Sequence, residues 1–227
     1  MKFIHIADLH LDTPLVSLRN NRDLIKKRRT EQRQVFSDII NKIKAENIEY
    51  LFISGDLFEQ KFVEKNTIDF LISSFELIPN TKIFISPGNH DPYIKSSPYQ
   101  TFEWPENVTI FTGEVGMFSF EDINVYGIGF TDYEFSSDEI SKIQIEDEDK
   151  INVLVVHGTL DGASKKYLDI KSKDLEKFDY VALGHIHERK VDGSNIVYPG
   201  SLLSIGFDEL GEHGIVIRRF GEEWYRI

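Results

Sequence analysis

Apolar and polar positions change period along the chain. Short apolar runs at Lys2–Ala7, Tyr50–Ser54 and Lys82–Ser86 predict buried strands. Between them, Val35, Phe36, Ile39, Ile40 and Ile43 keep a helical spacing, which predicts a helix from about Thr30 to Ala45. Ile68, Leu71, Ile72 and Phe75 mark one face of a second helix, closed by Pro79-Asn80. This β-α-β-α-β order predicts parallel strands beneath covering helices. After His90 the pattern shifts. Val108–Phe111, Met117–Phe120 and Ile123–Ile128 are joined by short polar turns such as Glu121-Asp122, which predicts a second sheet with antiparallel pairing. Further strands are expected at Ile151–Val156, Tyr180–Leu183, Ile196–Tyr198, Ile215–Arg219 and Trp224–Ile227. With no internal repeat and no low-complexity linker, residues 1–227 read as one domain built on two stacked sheets.

Five polar blocks interrupt this pattern, each where an apolar run ends: Asp8-Leu9-His10, Gly55-Asp56, Gly88-Asn89-His90-Asp91, His157-Gly158 and Gly184-His185-Ile186-His187. They hold five of the chain's seven histidines. Ligands bind where strands end at one edge of an α/β sheet, so the blocks can converge. Neutral imidazole and carboxylate are donors to divalent transition metals, and each is costly to bury unpaired. In Asp8-x-His10 and His185-x-His187, alternation along an extended segment would turn both side chains one way. Two histidines at a bend can also serve neighbouring ions. Gly55 and Gly88 allow backbone turns that free Asp56, Asn89 and His90 to point outward.

Asp8, His10, Asp56, Asn89, His157, His185 and His187 are more ligands than one ion needs. Two ions sharing a carboxylate use them well, and Asp56 suits the shared position. Taken singly, an aspartate after a strand is a turn residue or a helix cap. Gly-Asn-His-Asp and Gly-His-x-His are the specific blocks. His5 lies inside the first strand and reads as structural, and His213 in Gly-Glu-His-Gly reads as a loop residue.

Composition narrows the chemistry. The chain has no cysteine, which excludes disulfides and thiolate ligands and leaves a nitrogen and oxygen shell suited to Mn, Fe or Zn. A net charge of −12 argues against nonspecific attraction to a polyanion. Two divalent ions would add about four positive charges where the substrate binds. Arg19, Arg22, Lys26, Lys27, Arg28, Arg29 and Arg33 also crowd one segment, which reads equally as a solvated helix face or a phosphate-contact surface. No stretch approaches a membrane span, and the N-terminus reads as a strand, not a signal peptide. Cytoplasmic location without membrane contact is the expectation.

At these blocks the chain resembles the calcineurin-like metallophosphoesterase superfamily, over nearly its whole length from Asp8 to Ser201. Ile6-Ala7-Asp8-Leu9-His10-Leu11, Ser54-Gly55-Asp56-Leu57-Phe58, Pro87-Gly88-Asn89-His90-Asp91-Pro92 and Tyr198-Pro199-Gly200-Ser201 are most similar to SbcD-type DNA double-strand-break repair nucleases. The resemblance implies a four-layer α-β-β-α sandwich, with two mixed β-sheets flanked by helices. It implies two divalent metal ions, Mn2+ first, with Asp8, His10 and His187 on one, Asn89, His157 and His185 on the other, and Asp56 bridging. It also implies His90 as the catalytic, non-ligand histidine. DNA would be the substrate of an exonuclease or endonuclease. An SbcC-like coiled-coil ATPase and a homodimer would be its assembly. The capping domain and the ATPase-docking segment are expected to be missing from this chain. Many related nucleases carry a histidine three residues after the bridging aspartate, where this chain has Glu59. A phosphatase or a small-molecule or nucleotide phosphodiesterase of the same superfamily is the alternative enzyme. A scaffold with a degraded site is the non-enzymatic one, although every ligand position and His90 hold competent residues.

Overall fold

Strand alternation sets the layers of this protein. The structure, a computed structural model, describes residues 1–220 except 19, 163, 165, 194, 207, 208 and 210–212. In the first sheet, β1 (Lys2–Ile6), β2 (Tyr50–Ile53), β3 (Lys82–Ile85) and β4 (Val108–Ile110) run parallel in that order. The second sheet holds β5 (Gly116–Ser119), β6 (Ile123–Ile128), β7 (Ile151–His157), β10 (Tyr180–Gly184), β12 (Ile196–Tyr198) and β11 (Lys190–Asp192), in that spatial order. β8 (Thr159–Leu160) and β9 (Asp169–Ile170) form a small ladder of their own, and β13 (Val216–Arg219) pairs antiparallel with β1.

Two expectations are corrected. Val108–Ile110 belongs to the first sheet, parallel to β3. The second sheet is parallel through β6, β7, β10 and β12, and only its edge pairs β5–β6 and β11–β12 are antiparallel. Long crossovers between β6, β7 and β10 return the chain to the same end each time, whereas the turn at Glu121-Asp122 makes a single hairpin. The strand expected at Trp224–Ile227 lies outside the described residues, as does Arg19.

Among the described residues, four α-helices accompany the sheets: α1 (Arg22–Glu46), α2 (Lys65–Glu76), α3 (Pro98–Thr101) and α4 (Glu139–Lys142). α1 begins earlier than its apolar period indicates. Asn21 Oδ1 accepts the Leu24 N–H at 3.0 Å, and Asp23 complements the helix dipole in the first turn. Glu31 pairs with both Lys27 and Arg28, supporting turns that bury little.

Successive residues of each strand face different layers. Ile4, Ile6, Leu51, Ile53, Ile83 and Ile85 meet Phe36, Ile39, Ile40 and Ile43 of α1 and Ile68, Leu71 and Phe75 of α2. Phe3, Phe52 and Phe84 face the other way, onto Val125, Val153, Val155 and Ala182 of the second sheet. The far face of that sheet, Leu154, Val156, Val181 and Leu183, packs under Phe130, Ile140, Leu168, Ile170 and Phe178. The fold is therefore α/β, with two mixed sheets inside outer layers, as expected. The fourth layer consists of α4, the β8–β9 ladder and loops. Among the described residues no helix is long and apolar enough to cross a membrane.

His5 sits wholly buried between the sheets. Ser54 Oγ donates its one proton to the Ala182 carbonyl at 2.9 Å, so it accepts from His5 Nε2 at 2.8 Å. His5 Nδ1 then accepts from the Tyr180 hydroxyl at 2.9 Å. Burial holds the imidazole down at about 3, against a weaker opposing backbone hydrogen bond with Leu183. A histidine lowered this way supports the native state fully above its unfolded pKa of about 6.5. It withdraws that support as pH falls toward 3, at about 1.4 kcal/mol per pH unit. His5→Leu orphans the Tyr180 hydroxyl and is expected to cost about 1–3 kcal/mol near neutral pH. In denaturant titrations of the metal-free protein, the gap between wild type and variant narrows by about 1.4 kcal/mol from about pH 7.5 to about pH 5.5. A constant gap would show that His5 carries no proton linkage.

Candidate metal centre

The carboxyl ends of β1, β2 and β3 in one sheet and of β7 and β10 in the other meet at a common rim, the edge where α/β sheets bind ligands. The approach is close. A Cβ on Gly184 would overlap the Ser54 carbonyl oxygen. Gly55, at φ 83°, lies so near His157 that a Cβ there would be 2.5 Å from its Nδ1. Glycine at both positions lets the ends of the two sheets touch.

Beyond the strands the backbone kinks. Asp8 (φ 53°), His10 (φ 47°), Asp56 (φ 52°) and His185 (φ 101°) all take left-handed conformations. Such strain costs about 1–3 kcal/mol per residue and gathers at functional sites. The extended-segment reading of Asp8-x-His10 is therefore corrected: a kinked loop, not strand alternation, brings these side chains together. Asp8 N–H donates to the Gly55 carbonyl at 3.1 Å and His10 N–H to the Asp56 carbonyl at 2.9 Å. From α1, the Gln32 amide donates to the Leu9 carbonyl at 3.1 Å and the His10 carbonyl at 3.4 Å.

All seven candidate ligands arrive at this rim and fall into two groups. Asp8, His10 and His187 form one, with donor atoms within 4.8 Å of one another. His10 Nε2 and His187 Nε2 are 3.1 Å apart. In the other, Asn89 Oδ1 lies 3.1 Å from His157 Nε2 and 3.1 Å from His185 Nδ1. Asp56 stands between the groups, its Oδ2 3.7 Å from His10 Nε2 and 3.3 Å from His157 Nε2. The bend at His185 splits the Gly-His-x-His pair between the two groups.

The donor set fits a pair of divalent cations. It is all nitrogen and oxygen, with Asp8, Asp56 and His157 essentially inaccessible to water. His157 Nδ1 donates to the Ser54 carbonyl at 2.8 Å, which turns Nε2 inward to Asp56 and Asn89. Crowded buried lone pairs need cations among them. Without metal, protons serve. Burial works against charging His10, but the Glu59 hydrogen bond and the charges of Asp56 and Asp8 hold it up at about 9. Burial opposes charging His157 too, and Asp56 and Asp8 lift it to about 9. Burial and the neighbouring His157 press His185 down to about 4. Burial resists ionising Asp56, yet His157 and His10 hold its carboxyl well below the usual range. Burial raises Asp8. Metal binding displaces protons of this kind.

His90 lies at the mouth of the site, its side chain 44% exposed. Its backbone N–H donates to Asp56 Oδ1 at 2.8 Å and its Nδ1 donates to Glu59 Oε2 at 3.0 Å. Glu59 Oε1 accepts from His10 Nδ1 at 2.9 Å, so one carboxylate orients both a candidate ligand and the candidate catalytic histidine. The sequence marks Glu59 only as a departure from related nucleases. Its double role needs the fold. Asp91 is a second residue whose role depends on tertiary contacts. Wholly buried, it accepts from the N–H groups of Asp56 (3.0 Å), Leu57 (2.7 Å) and Gly88 (2.7 Å) and from the Tyr99 hydroxyl (2.7 Å). It thereby ties the loop after β2 to the loop after β3. Its place inside Gly-Asn-His-Asp was the available signal. His213 lies apart from both groups, with Nδ1 3.0 Å from Ser201 Oγ.

Comparison with known proteins identifies relatives of the chain. The family model for calcineurin-like phosphoesterases matches residues 1–189. The uncharacterized metallophosphoesterase YhaO of Bacillus subtilis (strain 168) is 29% identical over 232 residues, covering 94% of this chain. The chain spans 56% of that relative's length. The crystal structure of TT1561 of Thermus thermophilus superposes with a TM-score of 0.50 at 11% identity, over 88% of this chain and 89% of that one. That last likeness speaks to the fold alone.

Proposed function

The chain belongs to the calcineurin-like phosphoesterase family, and from that premise we propose that it is a phosphodiesterase using two divalent metal ions, with DNA as its substrate. The observation that carries the two-ion reading is Asp56 Oδ2, set between His10 Nε2 at 3.7 Å and His157 Nε2 at 3.3 Å. Asp8, His10 and His187 would hold one ion, Asn89, His157 and His185 the other, with Asp56 shared. Mn2+ is the ion we infer, and Fe and Zn suit the same donors. Bound there, the ions would draw charge from the phosphoryl oxygens and acidify water.

The protein's own groups supply the rest. Burial opposes protonation of His90, but the Glu59 hydrogen bond and the Asp56 charge raise its pKa. With Nδ1 donating to Glu59, Nε2 carries a proton in the imidazolium form, and we assign that form's Nε2 proton to the leaving oxygen. The left-handed loops and the Asp91 clamp hold this geometry before substrate arrives.

DNA rests on the SbcD-like wording of the blocks and on the cations of α1. Repair nuclease activity, a coiled-coil ATPase partner and a homodimer belong to the same reading. A small phosphoester is the second reading. Three α1 cations favour it because they are engaged within the chain: Arg33 donates to Asn66 and Thr67, and Lys27 and Arg28 pair with Glu31. A substrate panel with Mn2+-loaded protein separates the readings. Cleavage of bis-p-nitrophenyl phosphate and linear duplex DNA is expected. Diester cleavage without DNA cleavage selects the small substrate, and turnover of p-nitrophenyl phosphate alone overturns the phosphodiesterase.

A further inference from the structure

Glu209 lies beyond residues 1–189, the span matched by the family model, yet it reaches back to the metal centre. His187 Nδ1 donates to Glu209 Oε1 at 2.6 Å. The other carboxylate oxygen, Oε2, accepts the Ile205 N–H at 2.8 Å, which pins the glutamate from its second side. The Glu209 side chain is only 18% exposed, so water screens the contact weakly.

We propose that Glu209 is a positioning residue for the Asp8–His10–His187 group, fixing His187 with its Nε2 lone pair turned inward. The inference rests on the two-ion reading above. A carboxylate can only accept, so His187 Nδ1 carries hydrogen and Nε2 is left as the donor atom toward the ion. That Nε2 lies 3.1 Å from His10 Nε2 and 4.0 Å from Asp8 Oδ1. His10 is oriented in the same way by Glu59, so both imidazoles of this group are backed by carboxylates. In the other group His157 leans on the neutral Ser54 carbonyl. Two imidazole nitrogens at this separation, each with its outer nitrogen donating to a carboxylate, repel unless a proton or a metal ion sits between them. A carboxylate behind a histidine raises its basicity and fixes its tautomer, and removing such a partner costs about 10–100-fold in metal affinity. Glu209 therefore completes a site whose candidate ligands all lie upstream of it.

Calorimetric titration with Mn2+ alone tests this. Wild type is expected to bind two equivalents. E209A is expected to weaken one of them by about 10–100-fold and leave the other unchanged. E209Q still offers an oxygen to Nδ1–H and is expected to lose less, which a merely structural role would not reproduce. It also carries the test if E209A fails to fold. Wild-type affinity at both sites in E209A and E209Q overturns the role of Glu209, as does equal weakening of both sites. A wild-type protein that binds fewer than two Mn2+ overturns the two-ion reading instead.

Discussion

His90→Ala is expected to keep two equivalents of bound Mn2+ and to lower kcat on a phosphodiester with an alkyl leaving group by about 10²–10⁴-fold, the usual loss on removing a positioned general acid. The dissociation follows from geometry. The His90 group that touches Asp56 is its backbone N–H, 2.8 Å from Oδ1, and alanine retains it. What alanine removes is the imidazole, whose Nδ1 is held by Glu59 at 3.0 Å. The loss should shrink with substrates whose leaving group needs no proton. A series of aryl phosphodiesters of falling leaving-group pKa measures that. A variant that loses Mn2+ together with activity would make His90 a ligand and reverse its role.

Asp56→Ala has the larger expected effect, because one side chain faces both groups. Mn2+ affinity should fall at both sites by more than the roughly 100-fold typical of losing a supporting residue, and turnover should fall with it. Alanine also suffers from the left-handed backbone at φ 52°. Asp56→Asn separates these effects. Asparagine tolerates that backbone and keeps an oxygen for the His90 N–H, while removing one of the charges that raise His10 and His157 without metal. Calorimetry with Mn2+ on both variants decides the matter: retention of two tight sites in either would remove Asp56 from the bridging position.

Glu59, Asp91 and Glu209 together show how the site resists distortion. Each is a carboxylate that accepts two or more hydrogen bonds from groups far apart in the chain. None of them is among the seven candidate ligands. Their donors are candidate-ligand histidines, His90, the Tyr99 hydroxyl and nearby backbone N–H groups, so their contribution is orientation.

The order of residues alone determined the central strands of both sheets and the two long helices, and it marked the seven candidate ligands. A strand buried on both faces must be a short apolar run, and a polar block at its end has few other reasons to recur five times. Pairing direction was not legible, because Val108–Ile110 and Ile151–His157 read alike whether neighbours run with or against them. Only crossover paths decided that. The tertiary structure alone decided which histidine of Gly-His-x-His joins which group, since the kink at His185 sends His185 toward Asn89 and His187 toward His10. It also decided what Glu59 and Glu209 do. A glutamate's role is set by which donors lie within about 3 Å of its oxygens, and here the histidine donors are 22 to 49 residues away along the chain.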